Sequence, residues 1–253
     1  MGVNPERHLR LLKQLNVQKG LTDGVMALTL RLNMTTPPPD LASSTAFIRA
    51  NTALVRPAHC PEIQLHLADE AVALWQLTEV ELAEQGLPLP FWAFAWAGGQ
   101  ALARHVLDHR ELVDGKRVLD LASGSGLVAI AAKMAGCAHV TAADIDPYAI
   151  AAIGLNSELN GQEIQYHFGD LIGQEIDFDI ILVGDLFYER DIAEPLLAWL
   201  LACQAKGMTV LIGDPGRSYL PRDRLQEIAC YAIEVSRELE DSDVKVTRVW
   251  ALR

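Results

Sequence analysis

The chain reads as an α/β protein built on an open, mainly parallel sheet, and three observations carry that reading. The stretch RVLDLASGSGLVAIAAKMAGCAHVTAADID, Arg117 to Asp146, runs apolar strand, glycine turn, helix, apolar strand and terminal acid. Two later apolar runs, Phe178 to Val183 and Met208 to Ile212, each end in Gly-Asp, with a helix-length segment between them. Continuous apolar runs, rather than alternation, are what parallel strands buried on both faces need. The chain then closes on two strand-like runs around Glu240-Asp241-Ser242-Asp243, a terminal antiparallel pair.

In order, residues 1–33 hold five Lys/Arg against two acids, and no serine or clear cleavage signal. They read as a translation start placed too early, with Met34 as the initiator. Thr35 to Ser44, with Pro37-Pro38-Pro39, should be a flexible lead-in, so 1–45 is expected to be an extension. Residues 46–87 read as a small accessory layer for substrate recognition. It has short strands at Thr52 to Arg56 and Ile63 to Leu67, parted by Pro57 and Pro61, and a capped helix or turn over Asp69 to Trp75.

The main domain is expected over 88–253. It opens on Leu89-Pro90-Phe91-Trp92-Ala93-Phe94-Ala95-Trp96-Ala97-Gly98-Gly99, followed by a helix from Gln100 to His109. Asp146-Pro147 is an N-cap and first-turn proline for a helix to about Asn160, which Gly161 ends. Gln165 to Phe168 reads as the third strand. A helix from Ile192 to Ala205 buries Leu196, Leu197, Leu200 and Leu201, and Leu225 to Tyr231 reads as helical. Ile233 to Glu238 and Val244 to Ala251 form the closing pair.

Composition bounds the function. The 253 residues are half hydrophobic, enough for one large core without staples. Cys60, Cys137, Cys203 and Cys230 show neither C-x-x-C nor His partners at zinc spacing, so they read as reduced thiols in a cytoplasmic protein without a metal. No apolar run reaches membrane-span length, and no membrane partner is expected. The net charge is −12; beyond residue 33 the body carries −15, which disfavours nucleic acid and favours cationic partners.

The glycine loop admits two cofactors. Gly124-Ser125-Gly126-Leu127-Val128-Ala129 fits G-x-G-x-x-A, and Asp144 follows twenty positions after Gly124, as NAD binding would require. Against that, Asp120 ends the first strand facing the ligand, where a carboxylate repels a pyrophosphate but pairs with the cationic amino-acid end of S-adenosylmethionine (SAM). Asp144 is placed for ribose hydroxyls. Asp170 is placed for the adenine amino group, with Leu171 or Ile172 against the ring. Asp185 and Tyr188 follow a fourth buried strand and open into the cleft. The aromatic segment is either ordinary core or a wall suited to a sulfonium or ammonium.

Asp120-Leu121-Ala122-Ser123-Gly124-Ser125-Gly126 resembles the D/E-x-G-x-G-x-G loop of class I SAM-dependent methyltransferases, with Ala122 replacing the first glycine. That resemblance implies a Rossmann-like seven-stranded sheet, parallel with an antiparallel C-terminal hairpin strand. Asp185-Leu186-Phe187-Tyr188 resembles the signature of the D-x-x-Y protein-lysine methyltransferases. Together with Pro90 to Leu102 and Leu211-Ile212-Gly213-Asp214-Pro215-Gly216-Arg217, it is most similar to the branch acting on the electron-transfer flavoprotein β-subunit. The resemblance covers Pro88 to the C-terminus. It implies that Trp96, Asp120, Gly124, Gly126, Asp144, Asp170 and Gly184 hold SAM, and that Asp185 and Tyr188 meet the target lysine. Trp92, Phe94 and Phe187 are expected to line an apolar lysine channel, with Asp185 capturing the lysine and water removing its proton. Arg217 is left as either a helix-entry salt bridge or a substrate contact. A ribosomal-protein substrate, a nicotinamide-type small molecule, a non-catalytic SAM-binding assembly factor and an NAD oxidoreductase remain as alternatives.

Overall fold

The computed structural model describes residues 40–68, 89–235 and 243–253. The extension through residue 39, the turn or helix expected over Asp69 to Trp75, and most of the closing acidic turn lie outside the described residues. Helix α1 (Leu41–Asn51) begins inside the expected lead-in, because Asp40 caps it by accepting from the Ser43 backbone N–H at 2.8 Å. A short antiparallel pair follows, β1 (Ala53–Val55) and β2 (Leu65–Leu67). Then come a 3-10 turn at Phe91–Ala93 and helix α2 (Ala97–Asp108).

The main sheet is laid down by β3 (Arg117–Leu121), α3 (Leu127–Met134), β4 (His139–Asp144), α4 (Pro147–Leu159) and β5 (Gln165–Phe168). It continues with β6 (Ile180–Gly184), α5 (Arg190–Ala205), β7 (Thr209–Asp214), β8 (Leu225–Glu234) and β9 (Val244–Leu252). The strand order is β5-β4-β3-β6-β7-β9-β8, parallel through β7 and antiparallel at β7–β9 and β9–β8. This is the seven-stranded, doubly wound sheet with a terminal hairpin that the glycine loop implied. The strand order reverses between β3 and β6, so the cleft opens beyond their carboxyl ends.

Two apolar layers hold the sheet. Val118, Ile180 and Leu182 pack on one face with α2 and α3, while Leu119, Leu121, Ile181 and Val183 pack on the other with α5. The buried stripe of α5 is Ala193, Leu196, Trp199, Leu200 and Cys203, with Leu197 and Leu201 partly buried. Trp199 is a packing residue whose Nε1 donates to Gln174 O at 2.9 Å.

The accessory strands are joined firmly to this domain. Asn156 Oδ1 accepts from the His66 backbone N–H at 2.7 Å and Asn160 Oδ1 from that of Gln64 at 2.9 Å, while Cys60, Ile63, Leu65 and Leu67 join the core under α2. None of the described helices is long and apolar enough to cross a membrane.

Besides α1, a second element departs from the sequence reading. Leu225 to Tyr231 is not helical; it is the first part of the edge strand β8. Ile228 is an extra residue in the ladder, since Glu227 pairs with Trp250 and Ala229 with Val249. A bulge of this kind shifts the inward face from one parity to the other. Leu225 therefore packs on one side of the sheet and Ala229, Tyr231 and Ile233 on the other. The broken alternation imitates helical spacing.

Candidate active site

The glycine loop joins β3 to α3 with three left-handed residues, Ala122 (φ 53°), Gly124 (φ 56°) and Gly126 (φ 83°). Ala122 keeps the conformation that the glycine loop's first position demands although it carries a Cβ, at a strain of about 1 kcal/mol. From below, Asn156 Nδ2 of α4 donates to Ser125 O at 2.8 Å. From above, the Phe91–Trp92 backbone covers the loop, so a Cβ at Gly124 would lie 3.7 Å from Trp92 Cα.

Carboxylates occupy the loop's amides. Asp120 shares the face of β3 that lies under α3, and its Oδ2 accepts from the Ala129 N–H at 3.0 Å and from the Ser123 hydroxyl. It is only 1% exposed, and burial pushes its pKa up to about 7. The expectation that Asp120 faces the ligand is therefore corrected: strand alternation turns it inward, where it braces the loop and the start of α3. Asp144 is more open. Its Oδ2 accepts from the Gly124 N–H at 2.9 Å and its Oδ1 from the Asp146 N–H at 3.0 Å, with burial raising its pKa. Asp146 caps α4 by accepting from the Tyr148 N–H at 2.8 Å, as expected. Because the Gly124 and Ala129 amides already serve carboxylates, a pyrophosphate would find them occupied and their surroundings acidic. Asp170 sits in an exposed turn, accepting from the Ile172 N–H at 2.8 Å, and Leu171 packs into the core below α5. Exposed Ile145 and Phe168 flank Asp144 at the same strand ends.

Across the cleft, the start of α2 presses onto β6 and β7. A Cβ on Gly98 would meet Gly213 O at 2.2 Å and Asp185 Oδ2 at 2.5 Å; one on Gly184 would meet Gly99 Cα at 3.1 Å. These glycines let the backbones touch, and the touch positions Asp185. Its N–H donates to Gly213 O at 2.9 Å, and its Oδ2 accepts from the Gly99 N–H at 3.1 Å. Its Oδ1 accepts from Arg217 Nη2 at 2.8 Å and Nε at 3.1 Å. Asp185 also holds a left-handed φ of 53°, the kind of strain that persists at functional sites. Arg217 is thus a partner of Asp185, a link that the sequence alone left open.

The aromatic segment divides into core and rim. Trp92, 2% exposed, stacks on Tyr148 with centroids 6.2 Å apart, and Phe94 is buried beside it. Phe187 is fully buried between β6 and α5. The expected channel of Trp92, Phe94 and Phe187 is corrected accordingly: Phe187 and Trp92 are spent on packing. The residues that reach the cleft are Phe91 (41% exposed), Tyr188 (37% exposed) and Trp96. Phe91 lies 5.9 Å from Tyr188 and 6.0 Å from Trp96, whose Nε1 donates to Phe91 O at 2.9 Å. Burial, Glu189 and Asp144 raise the Tyr188 hydroxyl to about 12, so it stays protonated and Asp144 lies within its electrostatic reach. Within the aromatic segment nothing in the sequence distinguishes Phe91; the 3-10 turn Phe91–Ala93 that follows Pro90 leaves it exposed while Trp92 and Ala93 are buried. A separate cavity of about 490 Å³, lined by Arg117, Asp177 and Lys206 among others, opens at the opposite, amino-terminal edge of the sheet, away from this constellation.

Known proteins resemble the chain along most of its length. The human electron transfer flavoprotein beta subunit lysine methyltransferase is 38% identical over 216 residues, covering 82% of this chain and 81% of that protein. Its counterpart from Danio rerio is 39% identical over 213 residues, covering 81% of each. The chain belongs to the electron transfer flavoprotein β-subunit lysine methyltransferase family. Within that family its fold is the class I methyltransferase fold. The family profile described as ribosomal protein L11 methyltransferase (PrmA) matches residues 101–186. A ribosomal protein L11 methyltransferase from Deinococcus radiodurans is 31% identical over 212 residues, covering 78% of this chain and 72% of that one. The crystal structure of Trm5b from Pyrococcus abyssi, 15% identical, covers 80% of this chain and 56% of its own length with a TM-score of 0.51, a likeness of fold alone. Membership in a lysine methyltransferase family settles the enzyme class in favour of group transfer over hydride transfer.

Proposed function

We propose that this enzyme transfers methyl groups from SAM to lysine side chains of the electron-transfer flavoprotein β-subunit, working in the cytoplasm. The observation that carries the reading is Asp185-Leu186-Phe187-Tyr188 at the reversal of the sheet, in a chain that belongs to this family. The residues present fit the cofactor. Asp144 is a partly open carboxylate pinned by two amides, suited to a ribose diol; Gly124 leaves a backbone-only floor; Asp170, Ile145 and Phe168 flank the neighbouring strand end. Asp120 acts beneath this floor by holding the loop. SAM bound there would supply an electrophilic sulfonium methyl group.

The rest of the chemistry falls to the chain and the substrate amine. Phe91, Tyr188 and Trp96 form an aromatic rim that attracts an ammonium group. Asp185 orients it, while Tyr188, kept protonated, offers a donor and an apolar ring. Free lysine, with a pKa near 10.4, is about 0.1% neutral at pH 7.4, a cost of about 4 kcal/mol. The ammonium gives its proton to water. With SAM bound, the neutral nitrogen would form the N–C bond as the S–C bond broke, so that positive charge would pass from sulfur to nitrogen. Positioning supplies most of the acceleration.

The test is intact-mass spectrometry of electron-transfer flavoprotein from cells lacking the enzyme, incubated with this protein and SAM. Mass gains in methyl-sized steps on the β-subunit, lost with Asp185→Ala, are the expected result. No gain there, with labelled methyl groups instead entering ribosomal proteins in a whole lysate, would move the substrate to the reading that the L11 methyltransferase matches favour. No transfer at all would overturn the enzymatic reading.

A further inference from the structure

Resting on that reading, we propose that Arg217 is a positioning residue that neutralises Asp185 and so governs the protonation of the target lysine. A bare carboxylate beside the amine would hold it as ammonium, which cannot attack a methyl group. In the structure Asp185 is not bare. The Arg217 fork places both Nε and Nη2 on Oδ1, with the carboxylate largely buried and the guanidinium about a quarter exposed. Oδ2 is directed by the Gly99 N–H, so the carboxylate is locked at both oxygens.

The arginine is itself locked. Asp214 Oδ1 accepts from the Gly216 N–H at 2.6 Å and from the Arg217 N–H at 2.7 Å, folding the loop after β7 into a tight turn. The guanidinium carbon lies 5.8 Å from the Trp96 ring centroid, so the charge stands between Asp185 and the aromatic rim. Among the described residues, the other charged groups around this corner are acidic apart from the exposed Arg222, whose Nη2 reaches the turn at Gly216. Asp214 lies behind Arg217; Glu189 and Asp144 act on Tyr188 from the motif itself and from the end of β4. The acids favour a bound ammonium; Arg217, seated on Asp185 itself, opposes them directly, and Arg222 does so from the far side of the turn. Arginine suits the role because it keeps its charge at every pH where a lysine amine becomes neutral, and because its fork fixes the carboxylate's direction. Asp185 can then accept a hydrogen bond from the incoming amine without holding it charged.

The experiment measures kcat for methyl transfer at saturating electron-transfer flavoprotein and SAM against pH, using the full chain, because kcat follows the protonation of the bound lysine. In Arg217→Met the rising limb of the profile should move up by about one pH unit or more, the usual reach of an adjacent charge. Near pH 7.5 this is about a tenfold loss, recovered at alkaline pH. Asp185→Asn, with Arg217 left in place, should move the limb the other way, and the double variant should return it towards the unaltered protein. Arg217→Lys, which keeps the charge and loses the fork, should lower the rate with little movement of the limb. A loss in Arg217→Met by the same factor at every pH overturns the proposal, and so does an unmoved limb in Asp185→Asn. If Arg217→Met fails to fold, the Asp185→Asn and Arg217→Lys profiles decide alone. Absence of transfer by the unaltered protein overturns the methyltransferase reading and the proposal with it.

Discussion

Gly98 and Gly99 are neighbours in the first turn of α2, yet alanine at the two positions should have opposite effects. At Gly98 the new Cβ would stand 2.2 Å from the Gly213 carbonyl oxygen and 2.5 Å from Asp185 Oδ2. Both obstacles are fixed: one is the backbone of β7, the other a carboxylate held by Arg217 and the Gly99 N–H. Overpacking of a tight interior costs about 1–3 kcal/mol, and a rigid obstacle puts this site at or above the upper end. At Gly99 the Cβ meets, among the described residues, only Val128 Cγ2, at 4.0 Å. There the loss of backbone freedom in the unfolded chain should stabilise the protein by about 0.4–1 kcal/mol. For a chain of this size each kcal/mol moves the melting temperature by about 2–4 °C. Gly98→Ala should therefore fall by about 6–12 °C and Gly99→Ala should rise by about 1–4 °C in thermal unfolding. Methyl transfer should drop more than tenfold in Gly98→Ala, because Asp185 is pushed off the Gly99 amide. Equal melting temperatures for the two variants, or a stable and active Gly98→Ala protein, would refute the close approach of α2 to the sheet as the device that positions Asp185.

Three further outcomes are expected. Ala122→Gly should relieve the left-handed strain and leave thermal stability unchanged or higher, whereas Ala122→Val should lower it by about 2 kcal/mol, since a β-branched residue tolerates that φ worst. Burial raises Asp120 and Asp146 to about 7 and Asp214 to about 6, so the folded protein keeps protons that the unfolded chain releases above about pH 4. Their contribution is therefore present at low pH and lost as pH rises through the folded values; the protein without cofactor should melt higher near pH 5.5 than near pH 8, Asp120→Asn should flatten the difference, and the reverse slope would contradict the burial of these acids. Phe187→Ala should cost about 3–5 kcal/mol in denaturant unfolding, while Phe91→Ala should leave stability within about 0.5 kcal/mol and instead raise KM for the protein substrate.

Much of the fold is legible in the chain because its signals are local. The runs around Leu119, Ile181 and Leu211 are apolar throughout, as strands covered on both faces must be, and the Asp146-Pro147 pair starts α4 where it should. The reading of Leu225 to Tyr231 misses because a bulge at Ile228 breaks the alternation that marks a strand, and no local signal announces a bulge. In the candidate site, the sequence places Asp144, Asp185 and Tyr188 at or just beyond strand ends, and the structure puts them there. Asp120 looks equally exposed in sequence, but its parity on β3 puts it under α3. Phe187 and Phe91 are both aromatics near a motif; only their packing separates a core residue from a rim residue.

The sequence by itself determined the parallel sheet, the glycine loop with its terminal acid, and a family whose signature is Asp185-x-x-Tyr188. These depend on the order and spacing of residues within single supersecondary units. Only the tertiary structure decided that Gly98 meets Gly213, that Arg217 closes on Asp185, and that Phe91 rather than Phe187 borders the cleft. Those contacts join segments far apart in the chain. They exist because β6 and β7 lie side by side under the start of α2, a neighbourhood set by the strand order and by no stretch of sequence alone.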